Sequence, residues 1–474
     1  MGRGGTAYGG WVRIVVVGAG MAGLSAAWEL LAQGVPGAAI TVLEASERPG
    51  GKLRQAEVAG HAVDVGAESM LARRPEAVDL LAEIGAADQL VTPATTAARL
   101  LSRGRLHPMP PGSLMGVPRR AADAAGILDA AEVARLAECR VPEVTEDTTV
   151  GAYVAAAVGE AVVDRLVEPL LGGVYAGDAR RLSLAATVPQ LYAKAVAGER
   201  LLSDVPPAEA PVAPPAGPVF AGIAGGVGRF PALLAHVLTA RGVSVHAETT
   251  VRAIQPGSGS TWELTTGPTI AQRTWAADGL IVAVPPPAAR RLLAGPAPAA
   301  AAILAGVELA SMVIVTFAFE SGSVAALEGS GFLVPPVERR GIKASTYSSR
   351  KWGWLAQVAP ELTFVRASLG RYGEEAALQR PDADLSALAH RELAQIIGIA
   401  LPPPVGVHVQ RWGGALPQYA VGHLDRIALL HKHIDEVRGL EVAGAAYQGV
   451  GIPAVIASGR RAARLLAADL GLRD

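Results

Sequence analysis

The sequence of 474 residues contains a single cysteine, Cys139, and no run of about 18 apolar residues. One cysteine excludes a disulfide framework, a cysteine-rich zinc centre and a dithiol redox pair within the chain. The missing apolar run argues against a transmembrane helix. The first eleven residues lack an apolar core and a cleavage site, which argues against a signal peptide. We therefore expect a cytoplasmic protein.

The sequence has no excess of either charge, because it contains 42 Lys and Arg residues and 43 Asp and Glu residues, which gives a net charge of −1. A balanced chain has no global field that attracts nucleic acid, so no nucleic-acid partner is expected. Apolar residues, in contrast, make up 50% of the sequence, which is ample for large buried cores. At roughly 100–200 residues per domain, the length predicts two or three domains.

A glycine-rich motif follows the first predicted strand, Val12–Val17, and begins a predicted helix, Met21–Leu31. Its six residues are Gly18, Ala19, Gly20, Met21, Ala22 and Gly23. In this pattern the glycines permit a tight turn, close approach of a pyrophosphate, and packing of helix on strand. Glu44 ends the next predicted strand, Ile40–Leu43, where a carboxylate can accept hydrogen bonds from ribose hydroxyls. The combination predicts a dinucleotide site rather than an accidental turn.

A second glycine turn follows the acid and ends in a cation, with Arg48, Gly50, Gly51 and Lys52 after Glu44. This spacing resembles the flavin amine oxidase superfamily, which includes carotenoid desaturases and porphyrinogen oxidases. The resemblance implies that Gly50–Lys52 runs alongside a flavin and that the cofactor is FAD. The alternative is an ordinary solvated turn.

Further blocks narrow the resemblance to the bacterial-type coproporphyrinogen III oxidase and protoporphyrinogen oxidase family. They are Val63–Glu76, Leu106–Pro118, Glu168–Leu191, Ser345–Trp352, Arg411–His423 and Gly444–Ala463. These blocks occur in the family's order over nearly the whole chain. The connector Val205–Pro218, rich in proline and alanine, matches least.

The resemblance also implies which residues bind FAD. The glycine motif, with Glu44 and Ala45, would hold the adenosine and the pyrophosphate, and the backbone of Val251 would contact the adenine end. The residues implied on the flavin side are Lys52, Gly66, Ala67, Glu68, Ser69, Trp412, Val450, Gly451 and Ile452. Core packing would equally explain Val251, a structural aromatic would explain Trp412, and a simple turn before the last helix would explain Gly451.

The predicted reaction is also implied by the resemblance. The sequence shows no nucleophile–base pair, metal cluster or carboxylate dyad, so we expect no catalytic side chain and no metal. The family's chemistry is hydride transfer from a porphyrinogen to flavin N5 and reoxidation by O₂. Six electrons leave each macrocycle, and three O₂ become three H₂O₂. Coproporphyrinogen III is the expected substrate of haem biosynthesis, and protoporphyrinogen IX is the alternative.

A porphyrinogen is an apolar ring with carboxylate arms, so its cleft needs cations at the rim. Arg73 and Arg74 directly follow the implied flavin-lining segment, and they are the main candidates for carboxylate recognition. A solvated basic turn is the alternative for this pair. Arg99 and Lys343 are further candidates, and simple surface charges are the alternative for both.

Two other classes of function share these signals. An amine oxidase or a carotenoid desaturase has the same flavin signature, but amine oxidases place an aromatic where this chain has Val450–Ile452, although Tyr447 is close in sequence. A non-catalytic porphyrin-binding protein would have no need of the phosphate-binding turn or of Lys52.

The expected fold class is α/β (α+β overall) with three domains. A discontinuous, Rossmann-like FAD-binding domain comprises residues 1–75, 219–287 and 431–474. A mainly helical domain of the membrane-facing type comprises residues 88–205, and a sheet-containing substrate domain comprises residues 288–430. A peripheral membrane contact through Leu114–Val117, with Arg119 and Arg120, and contact with the next haem-pathway enzyme are left open.

Overall fold

The computed structural model describes residues 12–203, 217–258 and 261–472. The predicted connector Val205–Pro218 lies outside the described residues except for its last two positions. The described residues form both strands and helices, and most of the strands belong to two large sheets.

The strands are β1 Ile14–Val17, β2 Ile40–Leu43, β3 Gln55–Val58, β4 His61–Asp64, β5 Met70–Leu71, β6 Leu90–Val91, β7 Ala98–Ser102, β8 Arg105–Pro108, β9 Phe220–Ile223, β10 Ser244–His246, β11 Val251–Pro256, β12 Trp262–Thr266, β13 Arg273–Ala277, β14 Gly279–Val282, β15 Leu309–Glu320, β16 Gly331–Leu333, β17 Ile342–Tyr347, β18 Leu362–Leu369, β19 Gly406–Pro417 and β20 Leu440–Val442.

The helices are α1 Met21–Ala32, α2 Glu76–Glu83, α3 Ala130–Glu138, α4 Val150–Val158, α5 Glu160–Val162, α6 Glu168–Tyr175, α7 Leu184–Thr187, α8 Pro189–Val196, α9 Phe230–Ala240, α10 Pro286–Leu293, α11 Pro298–Leu304, α12 Ser348–Lys351, α13 Gly353–Val358, α14 Asp382–Ile397, α15 His423–Asp435 and α16 Ile452–Asp469. A π-helical turn, Val163–Val167, joins α5 to α6.

A parallel sheet in the order β10–β2–β1–β14–β20 forms the dinucleotide-binding part of the fold. This is the strand order of the Rossmann fold, and its topological switch point lies between β1 and β14. All four residues of β1 and all four of β14 are buried. Strands covered on both faces read as continuous apolar runs, which is why the sequence identified β1 and β2. The predicted α/β fold class is confirmed.

Two apolar cores cover the faces of this sheet. One core comes from α1, α9 and α16, and the other from β11–β13, α10, α11 and α15. The five strands come from three separated stretches of chain, since β10 and β14 lie far along the sequence from β1 and β20. Helices α10, α11 and α15 lie wholly or mostly within residues 288–430, and yet they pack on this sheet. The limits of the three domains stay a prediction.

A second, mainly antiparallel sheet has the order β19–β15–β18–β17–β16–β7–β8. Helix α14 packs on one of its faces, and the β3–β4 hairpin packs on Ala318 and Phe364 of the other. The hairpin β7–β8 belongs to the stretch 88–205, so that stretch contributes strands to this sheet as well as helices.

The remainder of residues 88–203 surrounds a core that includes Leu166, Leu171 and Leu184, here called the helical core. Within this mainly helical stretch, the Ala-rich segment Ala121–Glu138 is not one continuous helix. A 3-10 turn ends at Ala124, and α3 begins only after Asp129, whose side chain accepts a hydrogen bond from the Glu132 amide. Between them Gly126 adopts φ +86°, which interrupts a helix.

No helix within the described ranges is long and apolar enough to cross a bilayer. The segment Leu114–Val117, predicted as a membrane contact, forms a tight turn in which Leu114 and Val117 exchange backbone hydrogen bonds. Val117 is buried in the helical core, and Leu114 and Met115 are half-buried against it. Arg120 pairs with Asp123, while Arg119 is exposed. The apolar side chains of this turn are therefore directed mainly inward.

Replacement of Gly459 by alanine should destabilise the protein. A methyl group there would lie 2.1 Å from the carbonyl oxygen of Ala22, so α1 and α16 would have to move apart. Overpacking of this kind lowers the free energy of unfolding by roughly 1–3 kcal/mol. Thermal melting measures the effect. Gly353→Ala is the matched control, because Gly353 has no atom within 4 Å of that position. An equal melting temperature for both variants would contradict this packing.

Candidate active site

The N-terminus of α1 forms one wall of the site. A methyl group on Gly18 would lie 2.6 Å from the carbonyl oxygen of Ala283, so only glycine fits between β1 and β14. Gly20 has open space around its Cα, and no side chain caps α1. The first amides of this helix are therefore free to bind an anion, and the turn fits a pyrophosphate.

Glu44 lies directly beside this turn. Its Oε2 accepts a hydrogen bond from the Ala19 amide at 2.7 Å, and its Oε1 accepts from the amide and the hydroxyl of Ser46 at 2.8 and 2.7 Å. A carboxylate has about four acceptor positions, so a position remains for a ribose hydroxyl. Ala45 is exposed next to it.

The second glycine turn contacts the first, because the Gly50 amide donates to the carbonyl oxygen of Ala19 at 2.9 Å. Lys52 follows, and its backbone is close to Gly66, where a methyl group would lie 2.1 Å from the Lys52 carbonyl oxygen. Burial lowers the pKa of Lys52 to about 8. The indole of Trp412 reaches the same place and donates to the Val65 carbonyl oxygen at 2.9 Å. The structure thus brings Lys52, Gly66 and Trp412 together, and their contact with a flavin stays a prediction.

Glu68 forms a buried ion-pair cluster that the sequence did not reveal. Its carboxylate accepts from Arg366 Nη1 at 2.7 Å, from Lys351 Nζ at 2.8 Å and from the Ser348 hydroxyl at 2.9 Å. Burial opposes ionisation of Glu68, but the charges of Lys351 and then Arg366 outweigh it and lower the pKa to about 2. Ser69 is in the cluster too, 3.3 Å from Lys351 Nζ, and Ala67 is exposed beside it.

Two members of this cluster, Lys351 and Arg366, were missed as functional residues. A signal was present for Arg366, which is a lone charge in the apolar run Leu362–Leu369. Because a charge in a buried strand needs a partner, the sequence could have indicated that Arg366 belongs to a site. Lys351 gave no comparable signal, because a lysine before Trp352 at a helix end is equally typical of a surface.

The residues predicted for the adenine end and for the closing side of the flavin lie on β11 and at the start of α16. Val251 begins β11 and is buried, and the nearby Thr249 amide donates to the Glu44 carbonyl oxygen at 2.7 Å. Gly451 precedes α16 without any side-chain cap, Ile452 is buried, and Val450 packs against the helical core. We call residues 444–452 the closing turn. It leaves β20 at the same edge of the sheet as the glycine turn leaves β1, because the strands are parallel.

The four predicted substrate residues do not lie together. Arg73 is exposed, and within residues 12–203, 217–258 and 261–472 no carboxylate pairs with it. Arg74 is paired with Glu76, with Nε 3.3 Å from Oε2. Arg99 pairs with the exposed Glu328. It lies beside Phe332 on the face of the second sheet that α14 covers, whereas Arg366 lies on the opposite face. The surface interpretation therefore describes Arg99 well.

The side chain of Lys343 is buried, which neither the substrate-binding interpretation nor the surface interpretation expected. The residue is only 4% exposed, and its Nζ has no hydrogen-bond partner within the described part of the chain. Burial, and then the neighbouring charge of Arg371, lower its pKa to about 7. The surface interpretation of Lys343 is wrong, and its Nζ lies out of reach of a ligand in this conformation.

Tyr447, the aromatic near the closing turn, is also buried, and its ring packs 5.8 Å from that of His431. It therefore supplies no aromatic wall to a substrate slot. The described residues contain no group of His, Cys, Asp and Glu side chains that could hold a metal ion. The site so defined is a dinucleotide cradle bordered by a buried ion-pair cluster.

Comparison with known proteins identifies the family. A family model described as flavin containing amine oxidoreductase matches residues 21–467. The coproporphyrinogen III oxidase of Mycobacterium tuberculosis is 39% identical, over 94% of this chain and 95% of its own length. That of Bacillus subtilis is 31% identical, over 95% and 96%. The chain belongs to the flavin-containing amine oxidoreductase family.

Solved structures agree with this membership. A structure from Exiguobacterium sp., provisionally named protoporphyrinogen oxidase, superposes with a TM-score of 0.82 at 30% identity and covers 98% of this chain and 100% of its own. Cyclohexylamine oxidase from Brevibacterium oxydans, with a TM-score of 0.66 and 17% identity over 98% and 100%, shares the fold. Members of this family contain a flavin, and the glycine turn of this chain fits the pyrophosphate of a dinucleotide. FAD is therefore the cofactor of this chain.

The affinity for FAD should depend on the charge of Lys52. Because the ammonium form attracts an anionic cofactor and its pKa is about 8, we expect the affinity to fall as pH rises above 8. Lys52→Met should weaken FAD binding by about tenfold at pH 7 and remove this pH dependence. Quenching of flavin fluorescence measures both. Lys194→Met, at a surface ion pair, is the control. An unchanged pH profile in Lys52→Met would refute the assignment.

Glu68→Gln should lower the free energy of unfolding by about 3 kcal/mol, because two buried cations lose their counter-charge. The wild-type ion pairs stabilise the fold above the ordinary pKa of 4.5, and this stability is lost as pH falls towards about 2. The difference between the two proteins should therefore stay constant from pH 7 to 5 and shrink below that. Urea unfolding measures it. Glu328→Gln, at an exposed pair, should change stability by less than about 1 kcal/mol.

Proposed function

We propose that this protein catalyses the FAD-dependent, oxygen-using oxidation of coproporphyrinogen III to coproporphyrin III. The observation that carries the proposal is the glycine cradle at the N-terminus of α1, which is joined to Lys52, Gly66 and Trp412 on the flavin side. Relatives that align with 94–95% of the chain at 31–39% identity are named coproporphyrinogen III oxidases, which supports this choice of substrate.

Bound in this cradle, FAD would supply the redox chemistry, which is two-electron oxidation of the substrate with O₂ as the final acceptor and H₂O₂ as the by-product. The protein side of the reaction is then binding and placement. The amides at the start of α1 and the carboxylate of Glu44 hold the dinucleotide, while the Glu68 cluster fixes the backbone at Gly66, whose carbonyl oxygen accepts from Arg366 Nη2 at 2.5 Å. No side chain is assigned a proton or hydride transfer.

Recognition of the substrate is proposed to depend on Arg73 more than on Arg74. Arg73 is exposed and unpaired within the described ranges, so its guanidinium can receive a carboxylate without giving up a partner. Arg74 would first have to leave Glu76. Arg99 and Lys343 remain predictions of the sequence, and their positions give them no support.

Protoporphyrinogen IX is the second candidate substrate. A protoporphyrinogen oxidase from Macaca fascicularis is 27% identical over 95% of this chain and 97% of its own length. The two substrates differ in the number of propionate arms, four against two, so a basic rim discriminates between them only if it contacts the additional arms. A direct comparison is therefore required.

The decisive experiment is anaerobic reduction of the bound flavin, followed by its absorbance. Coproporphyrinogen III should bleach the flavin band, and under air each coproporphyrin III should be accompanied by about three H₂O₂ as the six-electron stoichiometry requires. Faster bleaching by protoporphyrinogen IX would favour the second candidate. Bleaching by neither compound, with a primary amine tested in parallel, would overturn the proposal.

Charge reversal at the two arginines should have unequal effects. Arg73→Glu should raise the KM for coproporphyrinogen III by about 10- to 100-fold, because a charge-assisted hydrogen bond is lost and a repulsion is added. Arg74→Glu should raise it less, since Arg74 already has a partner. Steady-state kinetics with both variants measure this, and flavin content serves as the control. Equal KM values in wild type and Arg73→Glu would remove the role in substrate binding.

We also propose a cytoplasmic location, which the single buried cysteine supports, because the chain needs no oxidising compartment. A peripheral membrane contact at Leu114–Val117 and transfer of product to the next haem-pathway enzyme stay as predictions. Cell fractionation and sedimentation with anionic vesicles test the location and the contact. The inward-facing side chains of this turn reduce the apolar surface available to lipid.

A further inference from the structure

The hydroxyl of Tyr419 makes two hydrogen bonds to the closing turn. It donates to the carbonyl oxygen of Ala445 at 2.5 Å and accepts from the amide of Gly449 at 2.8 Å. These two groups lie at the beginning and near the end of the turn, so one oxygen atom spans it. The closing turn has no strand or helix of its own between β20 and α16, and therefore it depends on such contacts for its shape.

The ring of Tyr419 is anchored outside the dinucleotide-binding sheet. It is only 2% exposed and belongs to the helical core, 5.7 Å from the ring of Tyr175. Its own carbonyl oxygen accepts from the Ser183 amide at 2.7 Å. Val450 of the closing turn packs against the same core. Tyr419 thus connects the closing turn to helices that come from a different stretch of the chain.

His423 supports the ring from its other side. The imidazole stacks on Tyr419 with centroids 4.0 Å apart and planes at 13°, and it is fully buried. Burial, and then the charge of Arg426, lower its pKa to about 4, so the ring is neutral near pH 7. The same imidazole lies next to the backbone of Ala446 and Tyr447. The imidazole therefore packs beside the middle of the closing turn, and neither of its nitrogens has a hydrogen-bond partner among the described residues.

We propose that Tyr419 is a positioning residue that fixes the closing turn against the helical core and so sets the binding and the redox potential of FAD. The inference deepens the proposed function and rests on its FAD site, not on its choice of substrate. The turn leads into the N-terminus of α16, which has no side-chain cap. Amide dipoles at a helix start stabilise negative charge on a reduced flavin ring, provided that the turn holds them in place.

The test is Tyr419→Phe, which keeps the ring and removes the hydroxyl. Loss of two hydrogen bonds should weaken FAD binding by about tenfold, and the midpoint potential of the flavin should become more negative. The control is Tyr372→Phe, which removes a hydroxyl that bonds Glu308 and does not touch the closing turn. Fluorescence titration of the apoprotein and potentiometric titration of the flavin measure the two quantities.

Wild-type values of FAD affinity and potential in Tyr419→Phe would overturn the proposal. So would a lower melting temperature of the apoprotein with an unchanged potential, because that result describes a merely structural residue. If Tyr419→Phe does not fold, a second measurement on the wild-type protein tests the contact between Tyr419 and the closing turn. The Gly449 amide should exchange its hydrogen slowly, since it donates to a buried oxygen, and fast exchange would contradict the proposed contact.

None of these readouts uses a porphyrinogen, so the two proposals can fail separately. If the wild-type protein binds FAD but oxidises neither porphyrinogen, the proposed substrate is wrong and the role of Tyr419 is still measured. If the substrate is oxidised and Tyr419→Phe binds FAD as wild type does, only the inference about Tyr419 is wrong.

Discussion

The packing of α1 directly behind β1 is the constraint on which the rest of the site depends. A methyl group on Gly23 would lie 1.9 Å from the Gly18 carbonyl oxygen, and one on Gly18 would lie 2.6 Å from that of Ala283. The helix can therefore begin where the strand ends, with its first amides directed outward and uncapped. The second glycine turn and α16 meet this helix start through backbone contacts, and Glu44 meets it through its carboxylate, which accepts from the Ala19 amide.

A second requirement is charge compensation on the flavin side. Arg366 and Lys351 would be unfavourable in a buried position alone, and Glu68 offsets both at once while its pKa is held near 2. Arg366 also donates to the Gly66 carbonyl oxygen, so a charge that must be paired also shapes the segment predicted to line the flavin. The Glu68 cluster therefore both stabilises that segment and positions it.

The parts of the fold meet at the closing turn. Strand β20 and helix α16 belong to the parallel sheet, whereas Tyr419 belongs to the helical core and follows the edge strand β19 of the second sheet. A single buried hydroxyl, that of Tyr419, connects the helical core to the closing turn before α16. Residues with this role touch neither the substrate nor the reacting atoms.

The sequence by itself determined what depends on local spacing: the strand, turn and helix around Gly18–Gly23, the acid Glu44, the second glycine turn and the continuous apolar strands. It did not determine the ion pairs of Glu68, whose partners lie 283 and 298 positions away. Only tertiary packing brings Lys351 of α12 and Arg366 of β18 to this carboxylate. Burial of Lys343 and the face of the sheet occupied by Arg99 were likewise tertiary outcomes. Periodicity reports which residues are apolar, but only packing decides which buried face each element meets.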